Sequence, residues 1–449
     1  MSEANSKKQV LIISHDKIGS NMAGPGIRYH YMAQTLSGSF DVTVGFFDPT
    51  YLPEEGFPRA YKTKHIDAHI FEPGFEGFGI VIAHWLSEAM LHYCNTNQVF
   101  VVIDLYVPGP VENLASVIYG GKAIKHENDF EYNRALAIYR KFFQNGDLFL
   151  FSNQRQLDYW TGYAFGADQV HLSTYSKRPI YDRFIYAPMG IDTKQPLKHT
   201  GNVIKGVMPG IGKSDKVLLW TGGIWGHFDG QVLIRAMDKL KVKRPDIKLF
   251  FIGTQHPNPN VPEMKESLDT RRLATKLGLI NKTVFFNDGW VKYPDRINYL
   301  LEADAAVNTH KSSIETEFSH RTRVLDHLLT QLPTISTEGD YLSDTFIGPK
   351  GLGIVVPAND ETALQEAIIK ILEPGKSSDI KKAIASERKS FDWESSMSDL
   401  SQFLAGDIHK LPLLNASYSL RKASKTRRVA KKILPVPVKK IIIRALRMK

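Results

Sequence analysis

The chain reads as an α/β protein made of two facing, doubly wound Rossmann-like domains, with a basic C-terminal tail. Three observations lead there. Its 449 residues suffice for two domains of about 150–200 residues each. Short apolar runs alternate with helix-patterned stretches in two successive series, the mark of parallel βα units. Between the series, residues 195–214 carry Gly201, Gly206, Pro209 and Gly210, a linker composition. The expected boundaries are 1–198 and 199–395 for the two domains, 396–416 for a closing helix and linker, and 417–449 for the tail.

The first series opens with a buried strand at Lys8–Ser14. The loop Gly24-Pro-Gly-Ile-Arg28 follows, then a helix over Tyr29–Leu36 and a strand over Asp41–Phe47. This is a strand–glycine loop–helix–strand unit of the nucleotide-binding type, without the G-x-G-x-x-G fingerprint of a dinucleotide site. Further strands are expected at Gly79–Ala83, Phe100–Asp104 and Leu148–Ser152, with helical pattern at Glu112–Leu114 and Asn133–Phe143. Tyr186–Gly190 closes this half. The second series places strands at Lys216–Trp220, Ile247–Ile252, Thr283–Phe286, Ala305–Asn308, Thr334–Ser336 and Leu352–Val356. Helices fall between them at Gln231–Leu240, Arg271–Leu277, Tyr293–Leu301 and Arg323–Leu329, then at Glu361–Ile371. Asp379–Trp393 and Ser396–Leu404 supply closing helices.

Composition narrows the function. The single cysteine, Cys94, excludes a disulfide scaffold and any multi-cysteine zinc site. The polar start MSEANSKK runs directly into a strand and has no signal-peptide core. No window reaches the roughly 18 apolar residues of a membrane span. The net charge of +10 is a property of the tail: Arg421–Lys449 holds twelve Lys or Arg and no acid, which leaves −2 for the rest. A body with that balance gives no reason to expect nucleic acid as partner. The scattered histidines and acids specify no metal cage, so no metal and no tightly bound cofactor is expected.

In open parallel sheets ligands bind beyond the carboxyl ends of the strands. Three groups of residues stand there. Gly24 and Gly26 at a helix start allow an anion to approach backbone N–H groups, and Arg28 adds a guanidinium fork. The alternative is a structural turn with a surface arginine. Asp104, ending a strand, is a general base, a hydroxyl ligand or a helix cap. In the second group, Gly222 and Gly223 follow a strand and can bring N–H groups to a phosphate, with His227 and Asp229 close enough to be ligands. His256 in the neighbouring loop reads as structural. The third group is Glu315-Thr-Glu-Phe-Ser-His-Arg-Thr-Arg-Val-Leu-Asp326. Arg323 and Asp326 share a helix face at i, i+3. Arg321 and Arg323 suit a diphosphate, Asp326 a ribose diol, and Glu315 or Glu317 sugar hydroxyls. The alternative is an internal salt-bridge cluster.

These stretches, MAGPGIR (22–28), DLYVP (104–108), LLWTGGIWGHFD (218–229), IGTQHPNP (252–259) and EFSHRTRVLD (317–326), resemble bacterial glycosyltransferases of cell-surface polysaccharide synthesis with the GT-B fold, similar to family 4. The family's first acid, eight residues before the second, would fall on Phe318, which leaves Glu315 and Glu317 in a shifted register. The resemblance implies a nucleoside-diphosphate sugar donor held by the second domain and an acceptor held by the first. It implies transfer with retention, the leaving phosphate assisting deprotonation of the acceptor, with Asp104 a possible acceptor-side base. Asp326 would bind ribose. Gly222, Gly223 and Arg321 or Arg323 would stabilise the diphosphate as charge builds on it.

The tail joins basic residues to the run VKKIIIRALRMK. It suits an anionic membrane surface and a polyprenyl-linked or glycan acceptor, which places the protein in the cytoplasm, peripheral on the cell membrane. A solubilising or polyanion-binding tail is the alternative. Competing functions are a nonenzymatic nucleotide-sugar or polyanion-binding protein and a GT-B epimerase or phosphorylase.

Overall fold

The computed structural model describes residues 7–66, 74–120, 124–167, 169–170, 172–175, 179–194, 196–253 and 263–409. The tail expected at 417–449 and the loop of His256 lie outside the described residues.

The first sheet contains β1 (Gln9–Ser14), β2 (Asp41–Phe46), β3 (Lys62–His65), β4 (Ile80–Ala83), β5 (Phe100–Asp104), β6 (Leu148–Phe151) and β7 (Phe184–Tyr186) in the order 3-2-1-4-5-6-7. The second contains β8 (Lys216–Trp220), β9 (Ile247–Phe251), β10 (Val284–Phe286), β11 (Ala305–Asn308), β12 (Thr334–Thr337) and β13 (Gly353–Val356) in the order 10-9-8-11-12-13. Every pairing between these strands is parallel. This is the expected pair of doubly wound Rossmann-like sheets. Strand order reverses between β1 and β4 and again between β8 and β11. Those two switch points open a crevice at the carboxyl end of each sheet.

The alternation of side chains along each strand builds a core on both faces. In β1, Val10 and Ile12 pack toward the helix Gly24–Leu36, while Leu11 and Ile13 face Cys94, Phe142 and Phe143. In β8, Leu218 and Trp220 pack on one face and Val217 and Leu219 on the other. Sequence pattern missed β3, whose KTKH residues are polar because it is an edge strand with no fully buried position. The helices Glu88–Thr96 and Gln154–Gly166 were also missed, and the pattern at Glu112–Leu114 belongs to a longer helix, Gly109–Tyr119. The expected helix 379–393 is broken: Pro374–Glu387 ends in a 3₁₀ turn, and Asp392 caps a new helix, Trp393–Ala405, by accepting from the Ser395 N–H.

That last helix returns to the first domain and packs on Gly24–Leu36. Lys8 donates to the carbonyl of Leu404, and Tyr31 stacks on Trp393 with ring centroids 5.3 Å apart. The two domains also meet directly. Arg155 donates to the carbonyl of Gly339 at 2.6 Å and to Asp344 Oδ2 at 2.7 Å. Gln156 donates to the carbonyl of Phe318, and the Tyr293 N–H to that of Ser20.

The helix Gly24–Leu36 starts at Gly24, four residues before Arg28, so the expected loop is its first turn. Pro25 fits there because the first turn needs no N–H from it. A Cβ on Gly26 would lie 2.1 Å from the carbonyl oxygen of Lys17, whereas one on Gly24 would meet nothing within 4 Å. Gly26→Ala is therefore expected to cost about 1–3 kcal/mol in urea unfolding through overpacking, and Gly24→Ala less than about 1 kcal/mol.

Candidate active site

The facing switch points enclose a cleft of about 720 Å³. Its second-domain wall comes from the turn after β8 and the segment between β11 and β12. Gly222 has φ +76°, a backbone state that glycine alone adopts without strain. Arg323, opening the helix Arg323–Leu329, reaches this turn and donates from Nη2 to the Gly223 carbonyl at 2.8 Å. Its guanidinium lies 3.8 Å over the Phe228 ring. Its Nη1 is enclosed and has no hydrogen-bond partner. Burial and the neighbouring Arg321 push the Arg323 pKa down to about 9, so it remains a cation at neutral pH.

Arg321 is neutralised instead. It makes a bidentate pair with Glu315, Nη1 to Oε1 at 2.9 Å and Nη2 to Oε2 at 2.8 Å, and also donates to Thr316 Oγ1. Both side chains are buried and both line the cleft. Glu317 has its side chain exposed and off the cleft wall; its carbonyl accepts from Arg155. Glu315 therefore stands at the site, and Glu317 belongs to the domain contact. Asp326 lines the cleft and is held by Arg296, Nη2 to Oδ1 at 2.9 Å and Nε to Oδ2 at 3.1 Å. Arg296 in turn lies 3.4 Å over the Tyr293 ring. The i, i+3 spacing placed Arg323 beside Asp326, but each has a different partner.

His227 lies on the same wall with Nε2 3.9 Å from Glu315 Oε1. Burial, with Arg321 and Arg323 nearby, drives its pKa well below the usual imidazole value, so it is neutral. His320 precedes Arg321, and neither ring nitrogen has a partner. Burial, and then Arg28, lower its pKa to about 3. A neutral imidazole with two open nitrogens can give one hydrogen bond and accept another.

Four sequence-based assignments change. Asp229 caps the helix Gly230–Leu240, its Oδ1 accepting from the Val232 N–H at 2.9 Å, and is not a ligand. Arg28 and Asp104 are fully buried against each other, Nε to Oδ2 at 2.6 Å and Nη2 to Oδ1 at 2.7 Å. Arg28 also donates to the Ala187 carbonyl at 2.8 Å and stacks near Tyr106. Both carboxylate oxygens of Asp104 are thus committed, and neither residue lines the cleft, so Asp104 is not a free base and Arg28 not an open anion fork. Gly26 is a packing position, while Gly24 stays on the cleft wall with the start of its helix.

The cleft also holds residues that pattern reading passed over. His84 follows β4 directly, and its Nδ1 lies 2.8 Å from the Asp104 carbonyl. Glu112 and Tyr106 line the first-domain wall, and Arg296 and Tyr293 the second. His84 carried a usable signal, a polar residue just past an apolar parallel strand. Arg296 and Glu112 sit on helices with nothing local to mark them.

Residues 215–374 match the family model described as glycosyl transferases group 1. No curated protein matches the chain. Among solved structures it resembles sucrose-phosphate synthase from Thermosynechococcus elongatus, with a TM-score of 0.61 at 16% identity over 89% of this chain and 98% of that one. It is similar to WaaG, a glycosyltransferase involved in lipopolysaccharide biosynthesis, with a TM-score of 0.60 at 16% identity over 89% and 100% of the two chains. Anabaena Alr3699/HepE, solved with UDP and glucose, aligns with a TM-score of 0.57 at 13% identity over 89% and 99%. The fold is GT-B.

The Arg28–Asp104 pair makes a stability prediction. Arg28→Met leaves a carboxylate uncompensated in the core and is expected to cost about 3–5 kcal/mol, read by urea unfolding. The double variant Arg28→Met, Asp104→Leu is expected to recover most of that loss.

Proposed function

We propose that the protein is a glycosyltransferase that moves a sugar, with retention, from a nucleoside-diphosphate sugar to a glycan or polyprenyl-linked acceptor in cell-surface polysaccharide synthesis. The observation that carries this reading is Arg323. A guanidinium whose enclosed Nη1 has no partner, beside a glycine turn and next to a second arginine, needs an anion. A diphosphate supplies one in the geometry that guanidinium and backbone N–H groups favour.

In this reading Gly222, Gly223 and Arg323 hold the diphosphate and meet the charge that develops as the sugar bond breaks. Asp326, steadied by Arg296, takes the ribose diol. Glu315, steadied by Arg321, faces the sugar with neutral His227. Gly24 presents its helix start from the opposite wall. The structures of HepE with UDP and glucose, and of a trehalose-6-phosphate protein from E. coli with UDP-2-fluoro glucose, support the donor class. WaaG supports a cell-envelope role by its likeness.

Arg323→Met is expected to leave the stability of the ligand-free protein unchanged or higher, because it removes an unpaired buried charge. The same variant is expected to weaken nucleoside-diphosphate binding by about 10- to 100-fold in calorimetry. Wild-type affinity in that variant would reject the site. Screening nucleotide sugars with a lipid-linked acceptor separates the enzyme from a nonenzymatic binder: acceptor-dependent release of nucleoside diphosphate is expected, and its absence for every donor would reject the activity.

The tail is proposed to bind an anionic membrane surface, on its content of twelve basic residues and no acids. Deleting residues 418–449 is expected to abolish cosedimentation with anionic liposomes. Undiminished binding by the truncated protein would refute that role.

A further inference from the structure

We propose that the first-domain crevice binds a neutral sugar ring at the growing end of the acceptor, so that the protein extends a glycan and does not charge a bare polyprenyl phosphate. The proposal rests on the glycosyltransferase reading given above. It starts from the switch point of the first sheet. There β1 and β4 run side by side, with Ile13 paired to Ala83. His15 follows β1 directly and His84 follows β4, and both line the cleft.

A backbone carbonyl pins each imidazole. His15 Nε2 lies 2.9 Å from the Trp85 carbonyl oxygen, and His84 Nδ1 lies 2.8 Å from that of Asp104. A carbonyl oxygen only accepts, so these two nitrogens carry the hydrogens. In the neutral rings His15 Nδ1 and His84 Nε2 are then lone-pair acceptors. Among the described residues neither lone pair meets a donor. Burial lowers the His15 pKa to about 4, outweighing the bond to the Trp85 carbonyl, and His84 adds to the fall. The His15 ring is therefore neutral at physiological pH.

An exposed indole stands beside this pair. Trp85 is 39% exposed and packs edge to face with His15, ring centroids 5.7 Å apart. Phe47 supports His15 at 5.4 Å, and Tyr106 supports His84 at 5.7 Å. The C–H bonds on the flat face of a pyranose are slightly positive and suit the negative face of an indole. The hydroxyls on its rim can donate to the two lone pairs. A sugar ring thus answers both parts of the site.

The same wall disfavours an anion. Among the described residues its charged side chains are the acids Asp16, Glu112 and Asp192, with no Lys or Arg. Arg28 lies behind it, paired with Asp104. The arginines that line the cleft, Arg296, Arg321 and Arg323, stand on the second-domain wall. A negatively charged phosphate or carboxylate oxygen has no hydrogen for the imidazole lone pairs and would meet like charge. The start of the helix Gly24–Leu36 is the exception, and the reading above gives it to the donor.

The test measures release of nucleoside diphosphate from UDP-, GDP- and dTDP-linked sugars. The acceptors are polyprenyl phosphate and polyprenyl diphosphate carrying glucose, galactose, mannose, N-acetylglucosamine or glucuronic acid. At least one neutral sugar should exceed both polyprenyl phosphate and glucuronic acid by about tenfold or more in kcat/KM. Trp85→Ala, at an exposed position, should raise the KM for that acceptor by about tenfold. His84→Asn keeps a donor for the Asp104 carbonyl but loses the Nε2 lone pair, and should raise it similarly. Nucleoside-diphosphate affinity should stay within about twofold in both variants. Polyprenyl phosphate or glucuronic acid as the best acceptor would overturn the proposal. So would a wild-type acceptor KM in either variant, or an equal loss of nucleoside-diphosphate affinity. Nucleoside-diphosphate binding without turnover of any neutral-sugar acceptor would overturn this proposal alone. No nucleoside-diphosphate binding at all would reject the glycosyltransferase reading beneath it.

Discussion

The ion pair between Glu315 and Arg321 decides what the rest of the cleft can do. Two arginines two residues apart enter one partly desolvated space, and only one has a carboxylate. The bidentate bond fixes Arg321 and satisfies Glu315 at both oxygens. Arg323 is left as an excess cation, held over Phe228 by stacking and by one bond to the Gly223 carbonyl. Without Glu315 the site would carry two uncompensated charges, and repulsion would oppose the loop geometry. A second acid beside Arg323 would neutralise that guanidinium and leave it with no use for an anion.

This charge arrangement depends on the two domains being held face to face. The segment Glu317–Ser319 is clasped from the first domain: Arg155 and Gln156 donate to the carbonyls of Glu317 and Phe318, and Tyr159 packs near Phe318 at 5.1 Å. The residues immediately before and after that segment are Glu315–Thr316 and His320–Arg321. Any relative motion of the domains would therefore move the backbone that carries Glu315 and Arg321. The returning helix Trp393–Ala405 ties the far end of the second domain to the same first-domain helix that begins at Gly24. The first- and second-domain walls are thus linked both through the Glu317–Ser319 segment and through the returning helix.

The architecture was legible because buried parallel strands announce themselves. VLII, IVIA, FVVI and LFLF are nearly unbroken apolar runs, and each became a strand. The edge strand KTKH was not legible, since nothing buries both of its faces. At the site, position relative to a strand end was legible and pairing was not. Gly222, Gly223, Arg323 and Asp326 were found from local spacing, and all four lie on the cleft wall. Local spacing could not show that Asp104 meets a guanidinium 76 residues earlier in the chain, or Asp326 one 30 residues earlier. Asp229 was misread because a cap acid and a ligand acid look alike after a strand and a glycine turn. Only the helix Gly230–Leu240, starting one residue later, separates them.

Three arginines of the cleft wall and Arg28 behind it show how one residue type divides between stability and function. Arg28 and Arg321 are buried with a carboxylate bound at two points each, and Arg296 is similarly matched to Asp326. Each of these pairs fixes a segment: the helix after β1, the loop after β11, and the approach of the helix Arg296–Glu302 to the helix Arg323–Leu329. Their charges cancel locally, so they contribute geometry but little field. Arg323 alone contributes field. Its lowered pKa is the cost of holding that charge without a protein partner, and a bound anion would relieve it. A fold selected only for stability would have placed an acid beside it or replaced it with an apolar residue. Its persistence beside Arg321 and Arg296, which each have a carboxylate, is the physical reason to regard the second-domain wall as a binding surface rather than as packing.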